Sequence, residues 1–402
     1  MSGSVVAIAG GVAGALLIAA ALISLMWFCR SKHPRNRNSE TGSSDPSALA
    51  EWNRGGPSGS TARISGPRQF SLEELEQATK QFDDSNLIGY GSFGSVYKGL
   101  LRDGTVVAIK RRPGTPRLEF IAEVSYLLEI RHRTLVTLLG YCIESGFQML
   151  VFEYLPNGSI SNHLYYGMLS LILYGTKFHF SYLHISLAVL TETGQDPPIK
   201  LEFKRRISIA LDAATGLYHL HSLKPPLLHR SFKTSNVLVD ENFIAKVSDA
   251  GLSRLLERIE EAGPSSQTSA TAFQDPEAGV SGIFSEMSDV YSFGVFLLEL
   301  VTGVPAPDAE SLGPHRNLMQ WVESRQKSNN LVDRRLLGTF TSEGIRDFIR
   351  LALLCIVLPG IKRPKMDMIV LELERIREKE MALTTFMGEG TAIITPGSEL
   401  FT

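Results

Sequence analysis

The chain contains little cysteine, and its charges nearly balance. Its 402 residues include three cysteines, Cys29, Cys142 and Cys355, whose wide spacing fits neither a disulfide framework nor a metal site. There are 40 lysines and arginines against 42 aspartates and glutamates, and the basic residues are dispersed along the chain. The composition therefore argues against a disulfide-stapled secreted module, and it gives no support for nucleic acid as a partner.

Charge is missing altogether from one long apolar run near the N-terminus, from Val5 to Phe28. As a helix, this run would extend about 36 Å, which exceeds a hydrocarbon core of about 30 Å. Basic residues follow the run, at Arg30, Lys32, Arg35 and Arg37. A cleaved signal peptide would have a shorter apolar region with its basic residues in front. We therefore predict that residues 1–30 anchor a single-pass protein in the plasma membrane, with the remainder in the cytosol.

Composition divides the rest of the chain into an ordered region and its flanks. Residues 31–69 are rich in Ser, Gly, Pro and Asn and too poor in apolar residues to fold alone, which predicts a flexible linker. Residues 382–402 lack periodicity and are predicted to form a flexible tail. Ordered structure is expected to begin at Phe70, where a helical pattern starts and Ser71 can form a capping box with Glu74.

Two kinds of periodicity follow one another within residues 70–381. From Leu87 to Lys110, short apolar runs alternate with glycines and with the turn signal Asp103-Gly104, which indicates antiparallel strands. Beyond Glu202 the apolar residues repeat every three or four positions, which predicts helices. Such stretches occur at 203–221, 290–302, 345–358 and 366–381. A β-rich first part and an α-rich second part predict an α+β fold with two lobes.

One stretch does not fit this plan. Residues 166–190 are apolar and aromatic, and the stretch is long enough to suggest a second membrane span. The side chains of Lys177, His179 and His184 would be costly at the middle of a bilayer, and a span here would separate the two halves of the candidate site. We interpret the stretch as an insertion between two helices, and retention of an intron in the gene model is one explanation for it.

A glycine-rich motif, GxGxxGxV, lies between the first predicted strands, with glycines at Gly89, Gly91 and Gly94. Glycines let the backbone approach a phosphate, and the backbone N–H groups can then donate hydrogen bonds to its oxygens. Because no helix opens directly after the motif, a dinucleotide site is disfavoured. The motif alone is a weak signal, but the sequence Val-Ala-Ile-Lys follows it and ends at Lys110, a candidate partner for phosphates.

A second group of polar motifs lies in the helical part. The sequence His-Arg-Ser-Phe-Lys-Thr-Ser-Asn runs from His229 to Asn236, and Ser-Asp-Ala-Gly runs from Ser248 to Gly251. The amide of Asn236 and the carboxylate of Asp249 offer the hard oxygen ligands that Mg²⁺ prefers. Each motif alone indicates only a loop or a turn, and their fixed order along the chain makes them specific.

In this order, the motifs resemble those of protein kinases. The resemblance covers residues 70–381 and is closest to the plant receptor-like serine/threonine kinases, whose Phe-Ser-x-x-Glu-Leu-x-x-Ala-Thr and Arg-His-Arg-x-Leu-Val-x-Leu-x-Gly-Tyr-Cys sequences recur from Phe70 and Arg131. It implies a two-lobe kinase fold that binds ATP and Mg²⁺. The ATP-binding residues that it implies are Ile88, Gly89, Gly91, Gly94, Val96, Ala108, Lys110, Glu123, Glu153, Leu155 and Leu238. The metal ligands that it implies are Asn236 and Asp249, and the catalytic-loop residues are Ser231 and Lys233.

The resemblance also implies two ion pairs. Lys110 is expected to pair with Glu123 on the next helix, although helix phase alone leaves Glu119 as a rival. Arg363 is expected to pair with Glu277, because the sequence Asp-Pro-Glu resembles the Ala-Pro-Glu element of kinases.

Three departures from the kinase pattern fall on the side of the site that receives a substrate. Ser231 replaces the aspartate that accepts the hydroxyl proton, Ala250 replaces the phenylalanine of Asp-Phe-Gly, and residues 269–274 lack the pattern Gly-Thr-x-Gly-Tyr. We therefore predict an ATP-binding pseudokinase that signals through protein partners or other receptor kinases. Two alternatives are a working serine/threonine kinase and an adaptor that binds no nucleotide.

Overall fold

The computed structural model describes residues 68–115, 117–165, 201–259, 271–308, 311–312 and 317–387. These residues form the predicted α+β fold, in which a lobe built on a β-sheet is followed by a helical lobe. The predicted anchor from Val5 to Phe28, most of the predicted linker, the stretch 166–190 and the end of the predicted tail lie outside the described residues. Among the helices that are described, none is both long and apolar enough to cross a bilayer.

The first lobe contains a six-stranded sheet with the strand order β1-β5-β6-β4-β3-β2. Its elements are β1 (Arg68–Gln69), α1 (Leu72–Thr79), β2 (Leu87–Gly91), β3 (Gly94–Leu100), β4 (Val106–Pro113), α2 (Leu118–Glu129), β5 (Leu138–Glu144) and β6 (Phe147–Glu153). Strands β1 and β5 are parallel, and the other neighbouring pairs are antiparallel. The turn predicted at Asp103-Gly104 is confirmed between β3 and β4, where the Gly104 N–H donates to the Leu101 carbonyl at 3.0 Å.

The second lobe consists mainly of helices. Its elements are α3 (Phe203–Ser222), β7 (Val237–Val239), β8 (Ala245–Val247), α4 (Leu252–Ile259), α5 (Pro276–Ser281), α6 (Glu286–Thr302), α7 (Leu318–Lys327), α8 (Ser342–Cys355) and α9 (Met366–Met387). The helices predicted from periodicity are confirmed as α3, α6, α8 and α9, and α6 and α8 begin earlier than predicted. Every residue of α6 from Ser288 to Thr302 is buried, so α6 forms the centre of this lobe.

Helix α1 begins as predicted at a serine cap. The Ser71 Oγ accepts a hydrogen bond from the Glu74 N–H at 3.2 Å and so satisfies one of the free N–H groups at the helix start. Within the helix, Leu75 packs into an apolar cluster that includes Phe70 and Cys142, all fully buried. The burial of these side chains attaches α1 to the sheet.

The ordered region extends beyond the predicted limits at both ends. Strand β1 lies in the predicted linker, and it pairs with β5 so that Arg68 is opposite Gly140. Composition does not reveal this pairing, because two residues are too few to show a period. A Cβ on Gly140 would lie 2.1 Å from the Arg68 carbonyl oxygen, so the close approach of β1 requires glycine there. At the other end, α9 continues past the predicted limit at Met381 to Met387.

We expect Gly140→Ala to destabilise the protein by about 2 kcal/mol, because the added methyl group would collide with β1 and the ring of Phe70. Urea unfolding measured on the wild type and the variant checks this expectation. Gly91→Ala is the matched control in the same sheet, since no atom lies within 4 Å of the position that its Cβ would take. Equal unfolding midpoints for the two variants would contradict the proposed requirement for glycine.

Candidate functional site

The predicted phosphate-binding lysine and the predicted metal-binding aspartate meet in the structure. Lys110 lies on β4, and its Nζ forms a short ion pair with the carboxylate of Asp249, which follows β8. Both side chains are nearly buried, with 12% and 11% of their surface exposed. The Lys110 Nζ also lies 5.4 Å from the centre of the Phe152 ring. This charged contact therefore joins the sheet of the first lobe to the second lobe at the candidate site.

The Asp249 carboxylate is held in its ionised form. Burial alone would raise the pKa of Asp249, because a buried carboxylate loses its solvation. The charge and hydrogen bond of Lys110 outweigh burial, with smaller contributions from His229 and Lys233, and the pKa of Asp249 lies below its usual value. The ionised form is the one that binds a metal, so the chemistry of this group fits Mg²⁺.

The glycine motif forms the hairpin between β2 and β3, in which Gly91 pairs with Gly94. Gly94 has a φ of 141°, and a Cβ there would lie 2.2 Å from the Arg111 carbonyl oxygen. At Gly89 and Gly91, by contrast, no atom lies within 4 Å of the position that a Cβ would take. The backbone of the hairpin is therefore open to an approaching group, as a phosphate-binding loop requires.

Apolar side chains from both lobes complete the set predicted to bind ATP. Ile88, Val96, Ala108 and Leu238 are half-buried, and Leu155 is buried. Phe152 was not predicted to belong to this set, yet it pairs with Ala108 across β4 and β6 and lies beside the Lys110 ammonium. Its signal in the sequence is its place in Leu-Val-Phe-Glu-Tyr, directly before the segment that connects the lobes.

Glu153, also predicted to bind ATP, uses its side chain to connect the lobes. Its carboxylate accepts hydrogen bonds from Lys246 Nζ at 3.0 and 2.8 Å and from the Thr137 N–H at 2.7 Å. Lys246 lies on β8, so these bonds tie β6 to the second lobe. The carboxylate of Glu153 is therefore occupied, and its backbone N–H donates to the Thr137 carbonyl at 3.0 Å.

One buried carboxylate holds the loop that runs from His229 to Asn236. Asp289, near the start of α6, accepts hydrogen bonds from the backbone N–H groups of His229 and Arg230, both at 2.8 Å. His221 Nε2 lies 2.9 Å from the same carboxylate. Arg230 has a φ of 61°, a left-handed conformation that these bonds keep in place.

The loop is also tied to the segment that carries Asp249. His229 Nε2 lies 2.9 Å from the Ser248 carbonyl oxygen, and the Ser248 N–H donates to the Asn236 carbonyl at 2.8 Å. The Asn236 Nδ2 donates to the Ser231 carbonyl at 2.9 Å, which leaves the Asn236 amide oxygen for a metal. The two predicted metal ligands, Asn236 and Asp249, thus lie on segments that are bonded to each other.

Ser231 is half-buried in this loop and places a neutral hydroxyl where the kinase pattern has an acid. Within the part of the chain that the structure describes, its hydroxyl makes no hydrogen bond to a carboxylate or an imidazole that would activate it. A serine hydroxyl cannot accept a proton near neutral pH without such a partner. Lys233 is exposed and available to a phosphate. The loop therefore offers a cation but no base.

The predicted pair between Lys110 and Glu123 is not formed. Glu123 lies on α2 with 2% of its surface exposed, and its carboxylate pairs instead with Arg254 Nε at 2.9 Å and Arg258 Nε at 3.1 Å. Both arginines lie on α4. The rival candidate, Glu119, is exposed. Helix phase alone left Glu119 and Glu123 as alternatives, and the partners of Glu123 come from a distant segment that phase does not reveal.

The second predicted pair also has a different partner. Arg363 makes two bonds with the carboxylate of Asp275, at 2.8 and 2.9 Å, and both side chains are buried. Glu277, the predicted partner, accepts instead from the Gly360 N–H at 3.1 and 3.0 Å. This chain has Asp275 where the kinase pattern has alanine, so two carboxylates, those of Asp275 and Glu277, lie at the start of α5. Arg363 pairs with Asp275.

A buried acid lies beneath the catalytic loop. Glu299 on α6 accepts short hydrogen bonds from the hydroxyls of Thr234 and Tyr165, and it accepts the Ala306 N–H at 2.8 Å. Burial raises the pKa of Glu299 to about 7, because desolvation outweighs these three hydrogen bonds. Thr234 lies between Lys233 and Asn236, so Glu299 supports that loop through this hydrogen bond.

The profile of the family described as protein tyrosine and serine/threonine kinase matches residues 83–370. Among curated proteins, a probable leucine-rich repeat receptor-like protein kinase of Arabidopsis thaliana is 36% identical over 341 residues, which cover 82% of this chain and 32% of that protein. Receptor-like protein kinase THESEUS 1 of Arabidopsis thaliana is 35% identical over 330 residues, which cover 80% of this chain and 35% of that protein. The chain thus spans about one third of the length of these relatives.

Among solved structures, the pseudokinase domain of BIR2, described as an immune regulator of the RLK/Pelle family, is similar to this chain. The TM-score is 0.58 and the sequence identity is 29%. The match covers 80% of this chain and 91% of that one.

We expect Glu299→Gln to abolish a pH dependence of stability. A raised pKa means that the folded state binds a proton more tightly than the unfolded state, so this stabilising effect is complete below about pH 4.5 and is lost as the pH rises to about 7. The shift corresponds to about 3 kcal/mol. Chemical unfolding at pH 5 and pH 8 is the measurement. The free energy of unfolding of the variant should be close to that of the wild type at pH 5 and should exceed it at pH 8. A difference in unfolding free energy that is the same at both pH values would contradict the raised pKa of Glu299.

Proposed function

The chain belongs to the protein tyrosine and serine/threonine kinase family, and we propose that it is a membrane-anchored, receptor-like pseudokinase that binds Mg-ATP. In this proposal it transfers phosphate weakly or not at all. It acts in signalling through protein partners, including other receptor kinases. The observation that carries the proposal is the meeting of Lys110 and Asp249, the residues predicted to hold phosphate and metal, together with the neutral Ser231 at the position of the proton acceptor.

The chemistry of the side chains and backbone groups at the candidate site supports the proposed binding of Mg-ATP. ATP with Mg²⁺ would supply a γ-phosphoryl group whose charge the metal partly neutralises. Lys110 would hold phosphate oxygens, and the open backbone at Gly89 and Gly91 would donate to them. Asn236 and Asp249 would hold the metal through hard oxygen atoms. These residues fit the group, since each offers the required atom without a rearrangement of the backbone bonds described above.

The proposal that the chain transfers phosphate weakly or not at all follows from Ser231. General acid–base catalysis typically contributes about 10²- to 10⁴-fold, so turnover without the base should fall by that order. Phosphoryl transfer depends chiefly on positioning and electrostatics, which is why residual activity is compatible with this site. The similarity to the pseudokinase domain of BIR2 is in keeping with this side of the proposal.

The membrane side of the proposal depends on the sequence and the relatives. The apolar run from Val5 to Phe28 is followed by basic residues, and the relatives are named receptor-like kinases. Because the chain spans about one third of these relatives, the activities of the whole relatives are not transferred to it. The anchor would restrict the kinase-like region to the inner face of the plasma membrane.

A working serine/threonine kinase is the second candidate. The observation that favours it is the intact support of the catalytic loop, in which Asp289 holds the backbone of His229 and Arg230 and Asn236 holds the Ser231 carbonyl. A third candidate is an adaptor without nucleotide, and the direct Lys110–Asp249 pair favours it because the two groups satisfy each other. The two experiments below separate the three candidates.

We expect Mg-ATP to raise the melting temperature of the purified full-length protein, because a ligand that binds only the folded state stabilises it. At a concentration of 100 times the dissociation constant, the gain is about 2.7 kcal/mol. Lys110→Met should abolish the increase, while Lys327→Met, at an exposed position on α7, should keep it. Each variant is compared with itself with and without Mg-ATP. An unchanged wild-type melting temperature would favour the adaptor.

We expect Ser231→Asp to raise phosphotransfer to a protein substrate by at least about 10²-fold, because it restores a carboxylate at the proton-accepting position. Ser231→Asn is the matched control, since asparagine has nearly the shape of aspartate but cannot accept the proton. Incorporation of labelled phosphate is the measurement. Wild-type turnover equal to that of Ser231→Asp would show a working kinase and defeat the pseudokinase proposal.

A further inference from the structure

Lys98 lies on β3, on the face of the sheet that carries the candidate site. Across the sheet it pairs with Ala108 of β4, which pairs in turn with Phe152 of β6. Directly paired residues point to the same face of a sheet, and so do residues two apart on one strand. Because Ala108 and Lys110 are two apart on β4, Lys98 shares the face from which Lys110 reaches Asp249.

The opposite face of β3 is fixed by the core of the first lobe. Tyr97 is buried, and its ring lies edge-on to the ring of Phe82, with 5.3 Å between the ring centres. Ile109, next to Ala108 on β4, is fully buried in the same apolar cluster. Successive residues of a strand point to opposite faces, so this burial makes Lys98 and Ala108 point toward the candidate site.

The partner of the Lys98 ammonium is the ring of Tyr154. The Lys98 Nζ lies 4.7 Å from the centre of this ring, which is within the range of a cation–π contact. Lys98 is exposed, and Tyr154 is half-buried. Within the part of the chain that the structure describes, Lys98 forms no ion pair that would compete with this contact. The ring is therefore the group that holds the end of the lysine side chain.

Tyr154 belongs to the segment that connects the two lobes. It follows Glu153, the last residue of β6, and it precedes Leu155, which is buried. The Glu153 carboxylate is bonded to Lys246 of the second lobe, as described above. Two successive side chains of the connection are therefore attached to different lobes, with Glu153 held by the second lobe and Tyr154 held by β3 of the first.

Two of the apolar residues predicted to bind ATP are direct neighbours of this contact. Ala108 pairs with Lys98 across the sheet, and Leu155 follows Tyr154 along the chain. The charged groups of the site would hold the phosphates and the metal, so the nucleoside part of ATP would lie against apolar side chains such as these two. The contact between Lys98 and Tyr154 thus joins the strand on one side of the nucleoside to the connection on the other.

We propose that Lys98 is a positioning residue for the nucleotide, an inference that rests on the proposed nucleotide site. Its contact with Tyr154 holds the connection against β3 and so keeps Ala108 and Leu155 at the spacing that the nucleoside requires. In this proposal Lys98 acts through the ring and does not touch the ligand. A site whose parts are already in place binds more tightly, because the ligand does not have to order them.

The test is a double-mutant cycle on the full-length protein in detergent, with calorimetric titration of Mg-ATP as the measurement. Lys98→Met keeps the length of the side chain and removes its charge, and Tyr154→Leu removes the ring. Lys98→Arg and Tyr154→Phe each keep a cation over a ring. Lys327→Met, at an exposed position on α7, is the matched control for the loss of one lysine. Melting temperatures without nucleotide show that each variant is folded.

We expect Lys98→Met to weaken the binding of Mg-ATP by about threefold, which corresponds to an exposed cation–π contact. In the Tyr154→Leu background, Lys98→Met should have no further effect, because its contact is already lost. Lys98→Arg, Tyr154→Phe and Lys327→Met should bind Mg-ATP as the wild type does. Retained affinity in Lys98→Arg would show that the cation is required, since an effect of side-chain packing alone would not be rescued in this way.

Two results would overturn the inference while the proposed nucleotide site stands. Equal affinities of the wild type and Lys98→Met would show that the contact does not position the nucleotide. A threefold effect of Lys98→Met that persists in the Tyr154→Leu background would show that Lys98 acts on the ligand without the ring. If the wild type does not bind Mg-ATP at all, the proposed function fails, and the role of Lys98 fails with it.

Discussion

The arrangement of the candidate site depends on the need of two buried carboxylates for cations. Asp249 takes Lys110, and Glu123 takes the two arginines of α4. Neither pairing is the one that the kinase pattern implies. An unpaired buried charge is strongly destabilising, so neither carboxylate can lose its cation without gaining another. The candidate site therefore depends on the same charges that hold α2 and α4 together.

The loop from His229 to Asn236 keeps its conformation without a bond from the side chain at position 231. The bonds that hold the loop come from the carboxylate of Asp289 and from backbone groups, and Asn236 contacts residue 231 through the carbonyl of Ser231. None of these bonds uses the side chain at position 231. Serine, where the kinase pattern has aspartate, is therefore compatible with this loop conformation, and in the proposed pseudokinase it would affect proton transfer more than folding.

Local signals in the sequence were sufficient to predict the fold. They were not sufficient to predict which charged side chains pair with each other in the site. Helix periods, the Ser71 cap and the turn at Asp103-Gly104 are local, and the structure confirms them. Lys110 and Asp249 were placed in one site from the order of the motifs. The pairs made by Glu123 and Arg363 were predicted wrongly, because they are decided by which of several charges from distant segments lies nearest in space. Strand β1 was missed because two residues show no period.

Asp275 attaches the chain to the helical lobe at a place separate from α4. Its carboxylate binds Arg363 and also accepts the N–H of Glu277 at the start of α5, and the nearby Phe273 carbonyl accepts the Ser292 hydroxyl of α6 at 2.7 Å. The chain is thus fastened to the helical lobe again before α5 begins. The start of α5 is therefore held by contacts that do not involve α4, so the burial of Leu252, Leu255 and Ile259 is not what keeps α5 and α6 in place.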